Sequence, residues 1–264
     1  MPQPSAPRAT RPTCSQSLRA ALASLLDLAL PAECAGCSRP GPALCRPCQL
    51  AFDAEHLRGG PCVVVPSPEP PGLPPVLSTF RYGGAVTTAL RAYKDAGRRD
   101  LVHTLAPALA PALAVALQVA VRDPSSRGSP VWVVPAPSSR SAGRRRGDRP
   151  TEQLARRALE VSATSYLVPE GMVVRAVEAV RRVADQAALG HDARAVNVAF
   201  AYDVRPGLGS SMRGRVCVLV DDVVTTGATL AEAARALRRA GAVVPVAATV
   251  AATALRREVP RRWT

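Results

Sequence analysis

Apolar positions recur along this chain in two distinct rhythms. Short runs of valine and leucine at residues 131–134, 172–177, 216–220 and 243–250 read as strands. Between them, apolar residues return every three to four positions over 86–94, 101–119, 151–161 and 228–240, the spacing of helices with one buried face. Alternation of this kind beyond Val76 predicts an α/β fold, a mainly parallel sheet flanked by crossover helices. The 216–220 run is apolar without interruption, as expected of a central strand covered on both faces. Residues 18–30 also carry helical spacing, closed by Pro31.

Proline and glycine set the boundaries. Residues 1–17, rich in Pro, Ser and Arg without periodicity, are expected to be disordered. Residues 18–65 form a helix and a cysteine module, 66–75 a proline-rich linker, 76–254 the main domain and 255–264 a basic tail. No membrane span is expected. Asp27 interrupts the first apolar stretch, and Pro107, Pro111 and Gln118 mark the longest one as a buried helix.

Composition narrows the chemistry. The 264-residue chain has a net charge of +14 and 3 % aromatic residues, so it suits a phosphorylated or polyanionic partner better than stacking recognition. Lys94 is the only lysine; the remaining positive charge is arginine, whose planar fork matches phosphate. A solvated arginine-rich surface is the alternative. Seven cysteines in a chain of this length point to a reducing, cytoplasmic compartment, because four stand as two CxxC knuckles. Cys34, Cys37, Cys45 and Cys48 offer four thiolates in the tetrahedral set of a closed structural Zn²⁺ site; free or redox thiols are the other reading. Cys217 reads as an ordinary core residue.

The 216–220 strand ends in Asp221-Asp222 and runs on through Thr225-Thr226-Gly227-Ala228-Thr229 into a helix. Amides without intrahelical partners, the helix dipole and a close-approaching glycine make such a start a seat for a phosphomonoester. Two acids would repel that phosphate and suit ribose hydroxyls or a metal's water shell nearby. The bland alternative makes Thr229 a helix cap and the acids a solvated turn. A second loop, Ser138-Ser139-Arg140 after the 131–134 strand, offers convergent donors for pyrophosphate, or is an ordinary turn. Arg182, Gln186, Arg194 and Asn197 lie in a polar stretch where a flexible loop can close.

The run from Val218 to Thr229 resembles the fingerprint of type I phosphoribosyltransferases. That resemblance implies that Asp221 and Asp222 hold the ribose of 5-phosphoribosyl pyrophosphate (PRPP), that Thr225 to Thr229 hold its 5-phosphate, and that Mg²⁺ accompanies it. The paired CxxC, Tyr82-Gly83-Gly84 with Leu90 and Lys94, Val134-Pro135-Ala136-Pro137, Arg146-Gly147, and Gln186 with Arg194 and Asn197 are together similar to the ComF family. One departure is Asp148-Arg149-Pro150, where that family has an aromatic residue and Asn-Gln after the Arg-Gly pair. The implied function is transfer of a phosphoribosyl group to an unidentified acceptor with release of pyrophosphate. The alternative is a nucleic-acid-binding accessory protein of DNA uptake, with single-stranded DNA as partner and the phosphoribosyl site retained for ligand binding; the charge, the zinc module and the basic tail favour it.

Overall fold

A computed structural model describes residues 33–137, 149–180 and 200–253, and the backbone of 258–259. The disordered tail and helix expected before residue 31, and most of the basic tail, lie outside the described residues. The described elements are α1 (Arg46–Asp53), β1 (Cys62–Val64), β2 (Val76–Arg81), α2 (Gly84–Lys94), α3 (Val102–Ala120), β3 (Val131–Pro135), α4 (Pro150–Ser165), β4 (Gly171–Val173), β5 (Val177–Ala179), β6 (Tyr202–Val204), β7 (Val216–Val224), α5 (Ala228–Arg239), β8 (Val243–Ala252) and β9 (Glu258–Val259).

Seven strands form one sheet in the order β4-β3-β7-β8-β2-β1-β9. Pairing is parallel from β4 through β2 and antiparallel where β1 joins β2 and β9 joins β1. The expected α/β architecture is present, with β7 in the interior of the sheet. Its pleat divides the core: Val216, Val218 and Val220 face α2, α3 and α4, whereas Cys217 and Leu219 face α5. Cys217 is fully buried there, as expected of a core residue.

The strand expected over 172–177 is two strands. β4 pairs with β3, then Val174 N–H donates to Val133 O and Ala176 N–H to Val174 O, and the turn redirects the chain into β5. β5 and β6 form a separate antiparallel pair.

Helix α3 is long and apolar enough to cross a membrane by length and composition. It instead packs on β2, β7, β8 and α4 through Leu105, Leu109, Leu113 and Leu117, all fully buried. His103, Pro107 and Gln118 are exposed on its outer side and Pro111 is half-buried, so the prolines sit where ring and missing N–H disturb the core least.

The sheet reaches back before the proline-rich segment, since β1 precedes it. Within that segment Leu73 and Pro66 press against Gly227, and the Arg238 guanidinium donates to Gly72 O. Residues 66–75 therefore pack along α5, from Gly227 at its start to Arg238 in its last turn.

Candidate functional site

The four cysteines meet at the described N-terminus. Their Sγ atoms all lie within 4.8 Å of one another, with Cys37 and Cys45 3.7 Å apart. Spacings of this size suit four thiolates around one ion bound at about 2.3 Å. Cys34 Sγ accepts from Gly36 N–H at 3.4 Å and from Cys45 N–H at 3.3 Å. Burial opposes the Cys34 thiolate, yet these amides and that of Cys37 outweigh it and draw the pKa down to about 6. A Cβ on Gly36 would stand 2.6 Å from Cys48 Sγ, so the first knuckle closes over the second only because residue 36 lacks a side chain. The donor set fits Zn²⁺ with no position left open. The module is anchored by Cys34, Leu44 and Phe52, which join the same core as Leu77 and Phe80.

The second centre lies at the carboxyl end of β7. Thr225, Thr226 and Gly227 form the bend between β7 and α5, and Gly227 takes φ 75°, the left-handed region, which lets the chain turn into the helix. Ala228 N–H donates to Thr226 Oγ1 at 3.3 Å. Among the described residues no protein group accepts from the N–H groups of Thr226, Gly227, Thr229 or Leu230. They border a shallow, solvent-open depression lined by residues 223–230 and by Asp221. Free amides, threonine hydroxyls and the positive end of α5 give this depression the chemistry of an anion seat.

The two acids expected to act together sit side by side at the strand's end, and their carboxylates interact with each other. Asp221 joins the lining of the depression, whereas Asp222 pairs with Lys94, Nζ to Oδ1 2.8 Å, with its side chain 4 % exposed. Each carboxylate also accepts the next residue's amide, Asp222 N–H to Asp221 at 2.9 Å and Val223 N–H to Asp222 at 3.0 Å. Burial, and then the Asp222 charge, push Asp221 up to about 8. Burial opposes ionisation of Asp222 too, but Lys94 holds it below the usual carboxylate range. For Lys94 the pull of Asp222 and Asp221 overcomes burial and raises its pKa.

Tyr202, 2 % exposed on β6, brings its hydroxyl close to the Thr229 side chain. Burial, and then the neighbouring Asp221 charge, raise its pKa to about 12. Its backbone is clamped to α5, with N–H donating to Glu232 at 3.2 Å and O accepting from Arg235 at 3.0 Å.

The expected pyrophosphate loop leaves from beside this centre. Pro135 pairs with Val220 in register, and Ala136 N–H donates to Val220 O at 2.8 Å. Ser138, Ser139 and Arg140 themselves lie outside the described residues, as do Arg182, Gln186, Arg194 and Asn197. β5 and β6 flank the second of these gaps. Lys94 and Tyr202 had no role assigned from sequence. The lone lysine was a usable signal for the first; nothing local singles out the second.

Comparison with known proteins agrees with this geometry. The adenine phosphoribosyltransferases of Mycobacterium avium (strain 104) and Mycolicibacterium paratuberculosis (strain ATCC BAA-968 / K-10) are each 58 % identical to this chain over 45 residues, 17 % of this chain. The chain spans 25 % of the length of these curated relatives. The family model of the phosphoribosyl transferase domain matches residues 103–263, more than half of the sequence and all of the β7–α5 centre, and the chain belongs to that family.

Proposed function

We propose that this protein binds PRPP and transfers its phosphoribosyl group to an acceptor, releasing pyrophosphate. The observation that carries the reading is the set of unclaimed amides at the start of α5 beside the Asp221 carboxylate. In this reading the residues 225–229 take the 5-phosphate, and Asp221 and Asp222 accept from the ribose hydroxyls. Ser138, Ser139 and Arg140 receive the pyrophosphate, and Arg182, Gln186, Arg194 and Asn197 belong to a loop that covers it. Positive charge grows on the ribose ring as the leaving group departs, so catalysis rests on placement, neutralisation and exclusion of water, with no covalent nucleophile.

Mg²⁺, a hard cation, would supply charge neutralisation on the pyrophosphate. Asp221 is the acid in the depression's lining, so its oxygen-rich wall suits such an ion. The four cysteines would hold a structural Zn²⁺. That module, with the motifs around Tyr82, Lys94 and Pro135, supports reading the chain as a ComF-type member of the family that works in the cytoplasm.

Calorimetric titration with PRPP, with and without Mg²⁺, tests the reading. Saturable binding is expected, and absence of binding in both conditions would sink it. Gly227→Ala adds a Cβ at 2.9 Å from Leu73 Cδ2 in a left-handed backbone. It should weaken PRPP binding at least about tenfold and lower stability by about 1–2 kcal/mol. A second reading, binding of single-stranded DNA, is favoured by the net charge of +14. Its signature would be affinity that falls steeply with salt and survives Gly227→Ala.

A further inference from the structure

Tyr202 belongs to the core on the α5 side of the sheet, and at 2 % exposure its ring could be a phenylalanine's for all that packing requires. A buried phenol costs stability unless its hydroxyl finds a partner. The Thr229 side chain stands beside this hydroxyl and the Asp221 charge reaches it; both residues line the depression at the start of α5. The polar end of a core residue is therefore directed at the candidate site.

The helix that carries the seat also fixes the tyrosine. Tyr202 N–H donates to Glu232 Oε1 at 3.2 Å, and Tyr202 O accepts from Arg235 at 3.0 Å. Arg235 is itself bound to Glu232 at 2.7 and 2.8 Å, and its guanidinium lies over the Phe200 ring, 5.0 Å from the centroid. Thr229 and Glu232 are three residues apart, so they share one face of α5, the face that β6 covers. Both backbone groups of Tyr202 are thus tied to the helix whose first turn its hydroxyl meets.

We propose that Tyr202 is a positioning residue for the 5-phosphate seat: its hydroxyl engages Thr229 Oγ1 and leaves the threonine's own proton free for a phosphate oxygen. The inference rests on the PRPP reading and extends it to a residue outside the strand, loop and helix that form the seat. A threonine hydroxyl has one proton to give and two positions that accept. Left to itself within a helix, it turns that proton back to a carbonyl of the preceding turn. Burial keeps the phenol protonated at neutral pH, so it can occupy an accepting position on Oγ1. That contact fixes the Thr229 rotamer and sends its proton away from the core, toward the depression. The seat is then ordered before a ligand arrives, and binding costs less.

The test uses the full chain and three variants, Tyr202→Phe, Thr229→Val and the two combined. Each is titrated calorimetrically, in the presence of Mg²⁺, with PRPP, with ribose 5-phosphate and with pyrophosphate. Tyr202→Phe should weaken PRPP and ribose 5-phosphate by about fivefold each, the worth of one hydrogen bond, and leave pyrophosphate affinity unchanged. Thr229→Val should lose at least as much on the same two ligands. Adding Tyr202→Phe to Thr229→Val should cost less than about twofold more, because the phenol then has no threonine hydroxyl to orient.

A hydroxyl of structural value only would weaken all three ligands alike, and that result overturns the proposal. So does unchanged affinity for ribose 5-phosphate in Tyr202→Phe. A full further loss in the Thr229→Val background also defeats it, since Tyr202 would then act through another group. Tyr202→Phe keeps the ring that fills the core, so failure of this variant to fold would count against the proposal as well. A wild-type chain that binds neither PRPP nor ribose 5-phosphate removes the transferase reading and this inference together, whereas wild-type binding that is indifferent to Tyr202→Phe removes this inference alone.

Discussion

Asp221 carries an electrostatic cost that pH can read out. Its folded pKa, raised to about 8 from an ordinary 3.8 by burial and then by the Asp222 charge, means the folded chain holds this proton more tightly than the unfolded one. The sign is therefore negative: stability from this group is full below pH 4 and falls as pH climbs towards 8. Asp222, held low by Lys94 against burial, contributes in the opposite sense, with stability present at neutral pH and lost in acid. Urea unfolding at pH 5 and pH 8 should show wild type losing at least about 1 kcal/mol more than Asp221→Asn across that interval. At this scale the sequence was informative about identity and less so about direction. The candidate site at the start of α5 was visible because Asp221 to Thr229 are contiguous, and contiguous chemistry survives any fold. The ion pair between Asp222 and Lys94 could not be read, because the lysine lies 128 positions earlier in the chain.

Elements were legible where one face of a regular period is apolar. β3, β7 and β8 and helices α2 to α5 fall within a few residues of the periods in the sequence. β2 was missed because Ser78 and Thr79 interrupt its apolar run. Both are fully buried, and Ser78 is reconciled with the core by a hydroxyl–hydroxyl bond to Thr249 on β8. The short α1 and the β5–β6 pair carry too little period of their own, and long-range contacts make them. β6 depends on α5 in particular. Glu232, 7 % exposed, accepts from Arg235 at 2.7 and 2.8 Å and from Tyr202 N–H at 3.2 Å. Glu232→Gln removes the negative charge and leaves the guanidinium without its counter-ion. It should lower stability by about 1–3 kcal/mol and speed hydrogen exchange at the Tyr202 amide, measured by urea titration and exchange spectroscopy. An unchanged Tyr202 exchange rate would mean that β6 is held by packing alone.

At the scale of the whole molecule, the cysteine module and the sheet share one core. Phe52 on α1 meets Phe80 of β2 in a tilted contact with ring centroids 4.9 Å apart, and His56 approaches the same ring edge-on at 4.8 Å. Arg81 N–H donates to Glu55 O and Leu57 N–H to Thr79 O, so the module's chain is hydrogen-bonded along the edge of β2. Removal of bound metal with a strong chelator should therefore lower the melting temperature of the entire chain by at least about 4 °C. A module that melted alone, in a separate early transition, would argue that it is an independent attachment. This coupling could not be read from spacing, because proline-rich residues 66–75 look like a connector and the contacts that bind the two parts lie on either side of them.

The solitary lysine gives the protein a chemical reporter of its own. Apart from a terminal amine, an acylating reagent finds one nitrogen to attack, and that nitrogen is kept in its unreactive ammonium form by the acids around it. Labelling at residue 94 should be slow in the wild type and faster once Asp222 is made neutral. The rate at a single atom thus becomes a gauge of the charge balance around the Asp221–Asp222 pair, readable by mass spectrometry without any knowledge of the acceptor.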